Sequence, residues 1–337
     1  MSEAAEERVL DLLVVGAGPT GIGVGAEARK AGLDVLLVER GAIADAIRRY
    51  PTELVYFSTK ERLEIAGVPF AIPEDKPSRR QALVYFREVA RAHELPVALF
   101  EEVTALLPEQ GAFQVETRNA AGARVRRARA VAVAVGFFDT PRQLAVPGEE
   151  LPWVRHRYLE PFEHWRQEVV VVGGGSSATE AALDLFRNGA RVTLVVRGEG
   201  IKPTIKYWLK PDIENRIAAG EVRALFQTRV TAFQDRPGEP RCVAVAGPAG
   251  EEFLPAQAAY VLVGYLPDPH LLAGAGVSLD PETGEPRCDP ETCETDVPGL
   301  YVAGTLQAGR AISRLFIENT REHAAKIVRH LRARLGH

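Results

Sequence analysis

The strongest constraint on the fold is an apolar run that closes on a glycine cluster: Leu10-Asp11-Leu12-Leu13-Val14-Val15, then Gly16-Ala17-Gly18-Pro19-Thr20-Gly21. Its apolar residues do not alternate with polar ones, so it reads as a parallel strand buried on both faces. The glycines read as a tight turn into a helix. Gly16 allows the turn, Gly18 lets a ligand approach the backbone, and Gly21 lets helix and strand pack closely. The start of that helix offers free N–H groups and partial positive charge, which suit phosphate. A second apolar run, Val35-Leu36-Leu37-Val38, ends in Glu39, 23 residues after Gly16. A carboxylate there can accept hydrogen bonds from both ribose hydroxyls of an adenosine. Strand, turn, helix and acid together predict a dinucleotide site built on Gly16, Gly18, Pro19, Thr20, Gly21, Glu39 and the adjoining Arg40.

A chain of 337 residues accommodates two domains of ordinary size. With 46% apolar and 26% charged residues it is expected to fold as a soluble globule. The net charge of −4 gives no hint of a nucleic-acid surface. No signal peptide fits the acidic start, and no apolar run is long enough to span a bilayer, so a cytoplasmic protein without a membrane partner is expected. Cys242, Cys288 and Cys293 are odd in number, which argues against a disulfide framework. Cys288 and Cys293 stand among Asp289, Glu291 and Glu294, a field that opposes thiolate formation. They read as incidental surface or half-buried thiols, Cys242 reads as strand packing, and no metal site is expected.

In chain order, Ala42 to Tyr50 reads as a short helix stopped by Pro51. Loops after the second strand reach the ligand in such a fold, which makes Tyr50, Phe57 and Ser58 candidate contacts. Ser78 to Gln81 can cap a helix running through Arg91, and Pro96 to Phe100 is a short strand. Val103 to Leu106, Phe113 to Thr117 and Val125 predict a meander, with Val103 a further candidate contact. Ala128 to Gly136 is another buried strand, and the proline that follows marks a crossing out of the first domain beside Gly136.

The chain then repeats itself. Glu168 to Val172 and Gly173-Gly174-Gly175-Ser176-Ser177-Ala178 form a second strand and glycine turn, 157 residues after the first. Ala178 replaces the third glycine. A helix from about Ser177 to Asn188 and a strand from Arg191 to Arg197 follow. Arg197 stands where Glu39 stands in the first repeat. A carboxylate would repel a 2′-phosphate, whereas Arg binds one bidentately, with Lys202 and Lys206 nearby. Gly173, Gly175, Ser176, Ser177, Arg197, Lys202 and Lys206 therefore predict an NADPH site. Val222 to Phe233, Arg241 to Ala246 and Glu251 to Leu254 predict a second meander, and Ala259 to Pro267 a second crossing. Gly299 to Thr305 returns as the last strand of the first domain, with Gly304 and Thr305 at its end. Ile312 to Leu335 is expected as one long closing helix, Ile312 adding to the first site.

Two glycine turns with different acceptors at their second strands imply two different adenine dinucleotides. The economical pair is FAD in the first domain and NADPH in the second, with hydride passing from nicotinamide C4 to flavin N5. The expected fold is α/β, with two nested Rossmann-like dinucleotide-binding domains. Residues 1–140 and 268–337 would form the FAD domain and 141–267 the NADPH domain.

Glu39, Ala134-Val135-Gly136, Gly173 to Ala178 and Gly299 to Gly304 match the motifs of a known group. The whole chain resembles the flavoproteins with two dinucleotide domains that include the thioredoxin reductases. Tyr50-Pro51-Thr52, Phe57-Ser58-Thr59, Leu63-Glu64-Ile65, Lys76-Pro77-Ser78-Arg79-Arg80 and Phe316-Ile317-Glu318-Asn319 make it more similar to the YpdA branch, the bacillithiol-disulfide reductases. The resemblance implies three-layer ββα domains, bound FAD, use of NADPH and a homodimer or homotetramer. Two departures stand out. Trp153 to Glu160 lacks the Cys-x-x-Cys of thioredoxin reductases, and Thr20 replaces a cysteine that many YpdA-like proteins carry. The implied activity is NADPH-dependent reduction of a low-molecular-weight disulfide, bacillithiol disulfide, by the flavin without a protein dithiol. A ferredoxin or quinone as acceptor, and a redox sensor that binds FAD and NADPH, remain open at this point. His156 stands where the dithiol would be and is the candidate proton donor. Arg310 and Arg314 are either anion-binding or surface charges.

Overall fold

The computed structural model describes residues 8–311 and 314–336. The chain divides into two compact units, one of Met1–Arg49, Val55–Thr140 and Leu266–His337, the other of Tyr50–Leu54 and Pro141–Tyr265. Tyr50 is thus grouped with the second unit.

In the first unit five parallel strands lie in the order Leu300–Val302, Val131–Val133, Leu12–Val15, Val35–Glu39, Val97–Leu99. Leu12, Leu13 and Val14 are wholly buried because both faces of their sheet are covered. On one face Leu12 and Val14 meet Val24 and Ala28 of the helix Pro19–Lys30, and Ala324, Ile327 and Leu331 of the last helix. On the other, Leu13, Val15 and Val131 meet Leu106, Phe113 and Val115 of the sheet ordered Val9–Leu10, Gly122–Ala128, Ala112–Asn119, Glu102–Glu109. The helix Arg79–Ala92 opens with a reciprocal capping box between Ser78 and Gln81, as its sequence predicts.

The second unit repeats the plan. Its parallel sheet runs Val154–Arg155, Ala258–Val261, Glu168–Val172, Arg191–Val195, Arg223–Leu225. Val169, Val171 and Leu194 pack on the helices Ser176–Arg187 and Leu209–Ala218. Val170, Val172 and Val195 pack on an antiparallel sheet of Arg229–Gln234, Cys242–Gly247 and Gly250–Pro255. Both units are three-layer ββα structures, as expected.

Several elements differ from their sequence reading. Val222 to Phe233 is not one meander strand. Arg223–Leu225 is the edge of the parallel sheet, and a turn at Phe226 to Thr228, with Gln227 at positive φ, redirects the chain. The helix Leu209–Ala218 was not foreseen, although Leu209, Ile213 and Ile217 recur every fourth residue. Its Pro211 lies in the first turn, where a missing N–H is tolerated. Of Ala128 to Gly136 only Val131–Val133 joins the parallel sheet, and Ala128 ends the strand Gly122–Ala128. The closing helix is split into Ile317–Thr320 and His323–Leu335. Thr320 Oγ1 donates to Phe316 O at 2.8 Å and Asn319 Oδ1 accepts the Phe316 N–H at 2.7 Å, so the first piece closes on itself. Ile312 lies outside the described residues.

Thr179, on the helix Ser176–Arg187, is fully buried, and its hydroxyl has no hydrogen-bond partner among the described residues. An unpaired buried hydroxyl costs about 1–3 kcal/mol. Thr179→Val is therefore expected to raise the unfolding midpoint in urea, by about 1 kcal/mol of stability. A lower midpoint would mean that the hydroxyl is paired.

Candidate functional site

In the first unit the strand ends converge on the first glycine turn. The Gly16 N–H donates to Val38 O at 2.8 Å, and Gly16 adopts φ +101°. A methyl group there would stand 2.8 Å from Ala134 O, and one at Gly21 would stand 2.0 Å from Gly16 O. Gly18 is different, because nothing lies within 4 Å of where its Cβ would be. It is the N-cap of Pro19–Lys30, a helix with no side-chain cap and no acid in its first turn. A chain that builds a full capping box at Ser78 leaves this helix start open, which fits a phosphate.

Glu39 is buried at the end of its strand, 9% exposed. Its Oε2 accepts the Ala17 N–H and its Oε1 the Gly41 N–H, both at 2.8 Å. Burial pushes its carboxyl above the usual range, and the two N–H groups oppose that shift. Each oxygen keeps a further lone pair for a ribose hydroxyl. An open helix start beside an acid so held is what FAD requires of its adenosine and pyrophosphate site.

Arg40 and Arg49 both pair with Asp139, three residues beyond Gly136. Gly136, at φ +73°, would place a Cβ 3.9 Å from Thr305 Oγ1. Gly304 would place one 2.9 Å from Thr20 Oγ1. Thr20 Oγ1 lies 3.3 Å from Thr320 Oγ1, and since Thr320 gives its proton to Phe316 O, Thr20 is the donor. Ser58 donates to Glu318. Phe57 is 56% exposed, with Lys76 Nζ 5.2 Å from its ring centroid. Val103 is buried in the core with Val15 and Val38.

Sequence reasoning missed Thr320 and His323. His323 Nδ1 accepts the Gly304 N–H at 3.1 Å, and burial pushes its imidazole down to about 4. The available signal was two polar residues, three apart, at the start of an otherwise amphipathic helix. Arg314 pairs with Glu285 at 3.0 Å, and Arg310 donates to Glu282 O at 2.8 Å. Both guanidinium groups therefore have local partners.

In the second unit the Gly173 N–H donates to Val195 O at 2.9 Å, and Gly173 adopts φ +135°. A Cβ on it would stand 2.5 Å from Leu262 O. Gly175 is again an N-cap with nothing within 4 Å, and Ser176–Arg187 again lacks a side-chain cap and a first-turn acid. Ser177 is exposed. Arg197 is exposed beyond the strand Arg191–Val195, and it has no ion-pair partner among the described residues. Lys202 is exposed, and its N–H donates to Gly174 O at 3.0 Å. Lys206 pairs with Glu180 at 2.5 Å. This donor set fits a phosphorylated dinucleotide.

His156 Nε2 lies 2.9 Å from Glu149 Oε1. Glu149 also accepts the N–H groups of Leu144 and Ala145. Its carboxyl sits below the usual range: burial opposes this, but His156 and the backbone N–H groups outweigh burial. All three cysteines are free thiols. Cys293 is buried rather than superficial, and burial pushes the half-buried Cys288 up to about 11. Among the described residues no group of His, Cys, Asp and Glu could hold a metal, and no helix is long and apolar enough to cross a membrane.

Residues 13–304 match the family described as pyridine nucleotide-disulphide oxidoreductase. The bacilliredoxin reductase Bdr of Bacillus subtilis (strain 168) is 34% identical over 331 residues, covering 96% of this chain and 98% of that protein. The ferredoxin–NADP reductase of Ignicoccus hospitalis is 25% identical over 302 residues, covering 88% and 90%. The solved structure of bacillithiol disulfide reductase Bdr (YpdA) from Bacillus cereus aligns with a TM-score of 0.93 at 34% identity, over 97% of this chain and all of that one. The chain belongs to the pyridine nucleotide-disulphide oxidoreductases and is an FAD-dependent NADPH oxidoreductase.

Proposed function

We propose that this reductase delivers its electrons to a low-molecular-weight disulfide, bacillithiol disulfide first among candidates. The observation that carries this reading is the full-length similarity to the Bdr proteins. FAD, when bound, supplies the two-electron chemistry. The chain's own residues bind and orient. The first glycine turn and Glu39 hold the adenosine end of FAD, Gly136, Gly304 and Thr305 line the same turn, and Ser58 is fixed by Glu318. Thr20 carries a hydroxyl and no sulfur, so it forms no mixed disulfide, and the substrate brings its own sulfur pair to the flavin. His156, held in one orientation by Glu149, is the proton donor in this proposal. A homodimer or homotetramer in the cytoplasm is part of the same reading, and light scattering of the purified holoenzyme tests the assembly.

The test is anaerobic reduction of the flavin by NADPH, followed by mixing with bacillithiol disulfide or with a ferredoxin. Rapid reoxidation by the disulfide is expected, and it should persist when Cys242, Cys288 and Cys293 are all replaced by alanine. Reoxidation by the ferredoxin alone would give the acceptor role to a one-electron carrier.

Arg197 is proposed to read the 2′-phosphate. A hydrogen bond to a charged group contributes about 1.5–3 kcal/mol, so Arg197→Ala should raise the KM for NADPH about 10- to 100-fold. The KM for NADH should barely move, and equal rises for both nucleotides would remove Arg197 from that role.

A further inference from the structure

We propose that Glu180 and Lys206 form a compensating charge pair beside the second glycine turn, with Lys206 a positioning residue that cancels a carboxylate facing the phosphate cradle. This rests on the reading that the turn holds NADPH. Ile205 and Leu209 are buried, and Ile201 is half-buried, in the same apolar cluster, so the segment 201–209 is anchored to the core. Its backbone is tied across the turn at two points. The Lys202 N–H donates to Gly174 O at 3.0 Å, and the Lys206 N–H donates to Ser176 Oγ at 3.2 Å. Because Ser176 Oγ accepts there, its single proton remains available to donate.

Glu180 stands four residues after Ser176 on the same helix, hence on the same face and one turn from the open helix start. Its carboxylate meets Lys206 Nζ at 2.5 Å, and the two side chains are only 22% and 14% exposed. A half-buried carboxylate is poorly screened by salt. Unpaired, it would repel a pyrophosphate bound one turn away. Lys206 removes that repulsion and leaves Arg197 and Lys202, both exposed, as the cations offered to the ligand. Glu180, in turn, prevents Lys206 from adding a third, unselective attraction.

The two single variants should therefore fail in opposite directions. FAD-loaded protein is titrated calorimetrically with NADP+ and, separately, with NAD+. Lys206→Met should weaken NADP+ binding at least about tenfold by exposing Glu180 to the phosphates. Glu180→Gln should tighten it and make it more salt-dependent, since one more cation then faces the ligand. The double variant should return near the wild type, and Lys206→Arg should rescue. Thermal midpoints of each variant, measured without nucleotide, separate binding from folding. If both single variants weaken binding alike, in step with lost stability, the pair is only structural and the inference is overturned. If the wild-type holoenzyme itself fails to bind NADP+, the underlying NADPH reading is what falls.

Discussion

Alanine at Gly21 and alanine at Gly18 are expected to fail in different ways, although the two glycines are three residues apart in one turn. At Gly21 the new methyl would stand 2.0 Å from Gly16 O and 3.5 Å from Ala134 Cβ. The main obstacle is backbone in a buried turn, so nothing flexible can yield. Relief would move the strand Leu12–Val15, whose residues are buried on both faces. A forced displacement of that kind belongs with the rare substitutions that cost more than about 4 kcal/mol. Gly21→Ala should leave the first unit unfolded or colourless. At Gly18 the backbone is extended, with φ −77°, and the methyl meets nothing within 4 Å. An N-cap Gly→Ala change costs at most about 1 kcal/mol. Gly18→Ala should therefore fold with a thermal midpoint close to that of the wild-type apoprotein. Its methyl would occupy the space through which a pyrophosphate reaches the helix start, so the purified protein should carry little flavin and take up little on incubation with FAD. Visible absorbance per protein and apoprotein midpoint are the two measurements. A yellow, fully loaded Gly18→Ala protein would show that the pyrophosphate does not approach there. Gly175, an N-cap in the same open situation, should behave likewise toward NADP+.

What could be read from the sequence, and what could not, follows the range of the interactions involved. The two glycine turns were legible because strand burial, turn conformation and helix start are all local, and because a parallel strand covered on both faces shows as an unbroken apolar run. Glu39 and Arg197 were legible by their offset from those turns. The helix Leu209–Ala218 was masked by Pro211, and Arg223–Leu225 is too short to declare which sheet it joins. The fate of Lys206 depended on Glu180, 26 residues earlier, and that of Thr20 on Thr320, 300 residues later. Such pairs exist only after the sheet has set the helix starts side by side. Tyr50 was grouped with its sequence neighbours, yet the Thr52 N–H donates to Leu159 O at 2.9 Å and ties its short segment to the second unit. Where an element depended on one turn or one strand, its local geometry follows the sequence pattern; where a side chain's surroundings depended on a partner from another element, the pattern did not show them.

Acid should weaken the first unit through His323 in a window above the usual carboxylate range. In the unfolded chain the imidazole titrates near about 6.5. In the folded chain burial holds it near about 4, with Lys326 reinforcing the shift and Glu322 opposing it. Between those values the unfolded chain binds a proton that the folded chain excludes. Stability must then fall as pH drops from about 6.5 toward 4, by up to about 3 kcal/mol, and level off below. Other groups act elsewhere. Glu39 has a raised carboxyl, so its protonation favours the folded state, and Asp45 is lowered and loses its contribution only in stronger acid. Neither produces a loss above about pH 5. The chemistry at the atom agrees with the sign. Neutral His323 accepts the Gly304 N–H at Nδ1, whereas the protonated ring would set one N–H against another. Gly304 lies against Thr20 of the first glycine turn, the proposed FAD site, so flavin release should accompany the loss of stability. His323→Asn keeps an acceptor in the same place and removes the titration. Its unfolding midpoint, followed from about pH 7 to 4.5, should be flatter than that of the wild type, and its flavin should be retained further into acid. Parallel curves for the two proteins would mean that His323 does not set the acid limit of this fold.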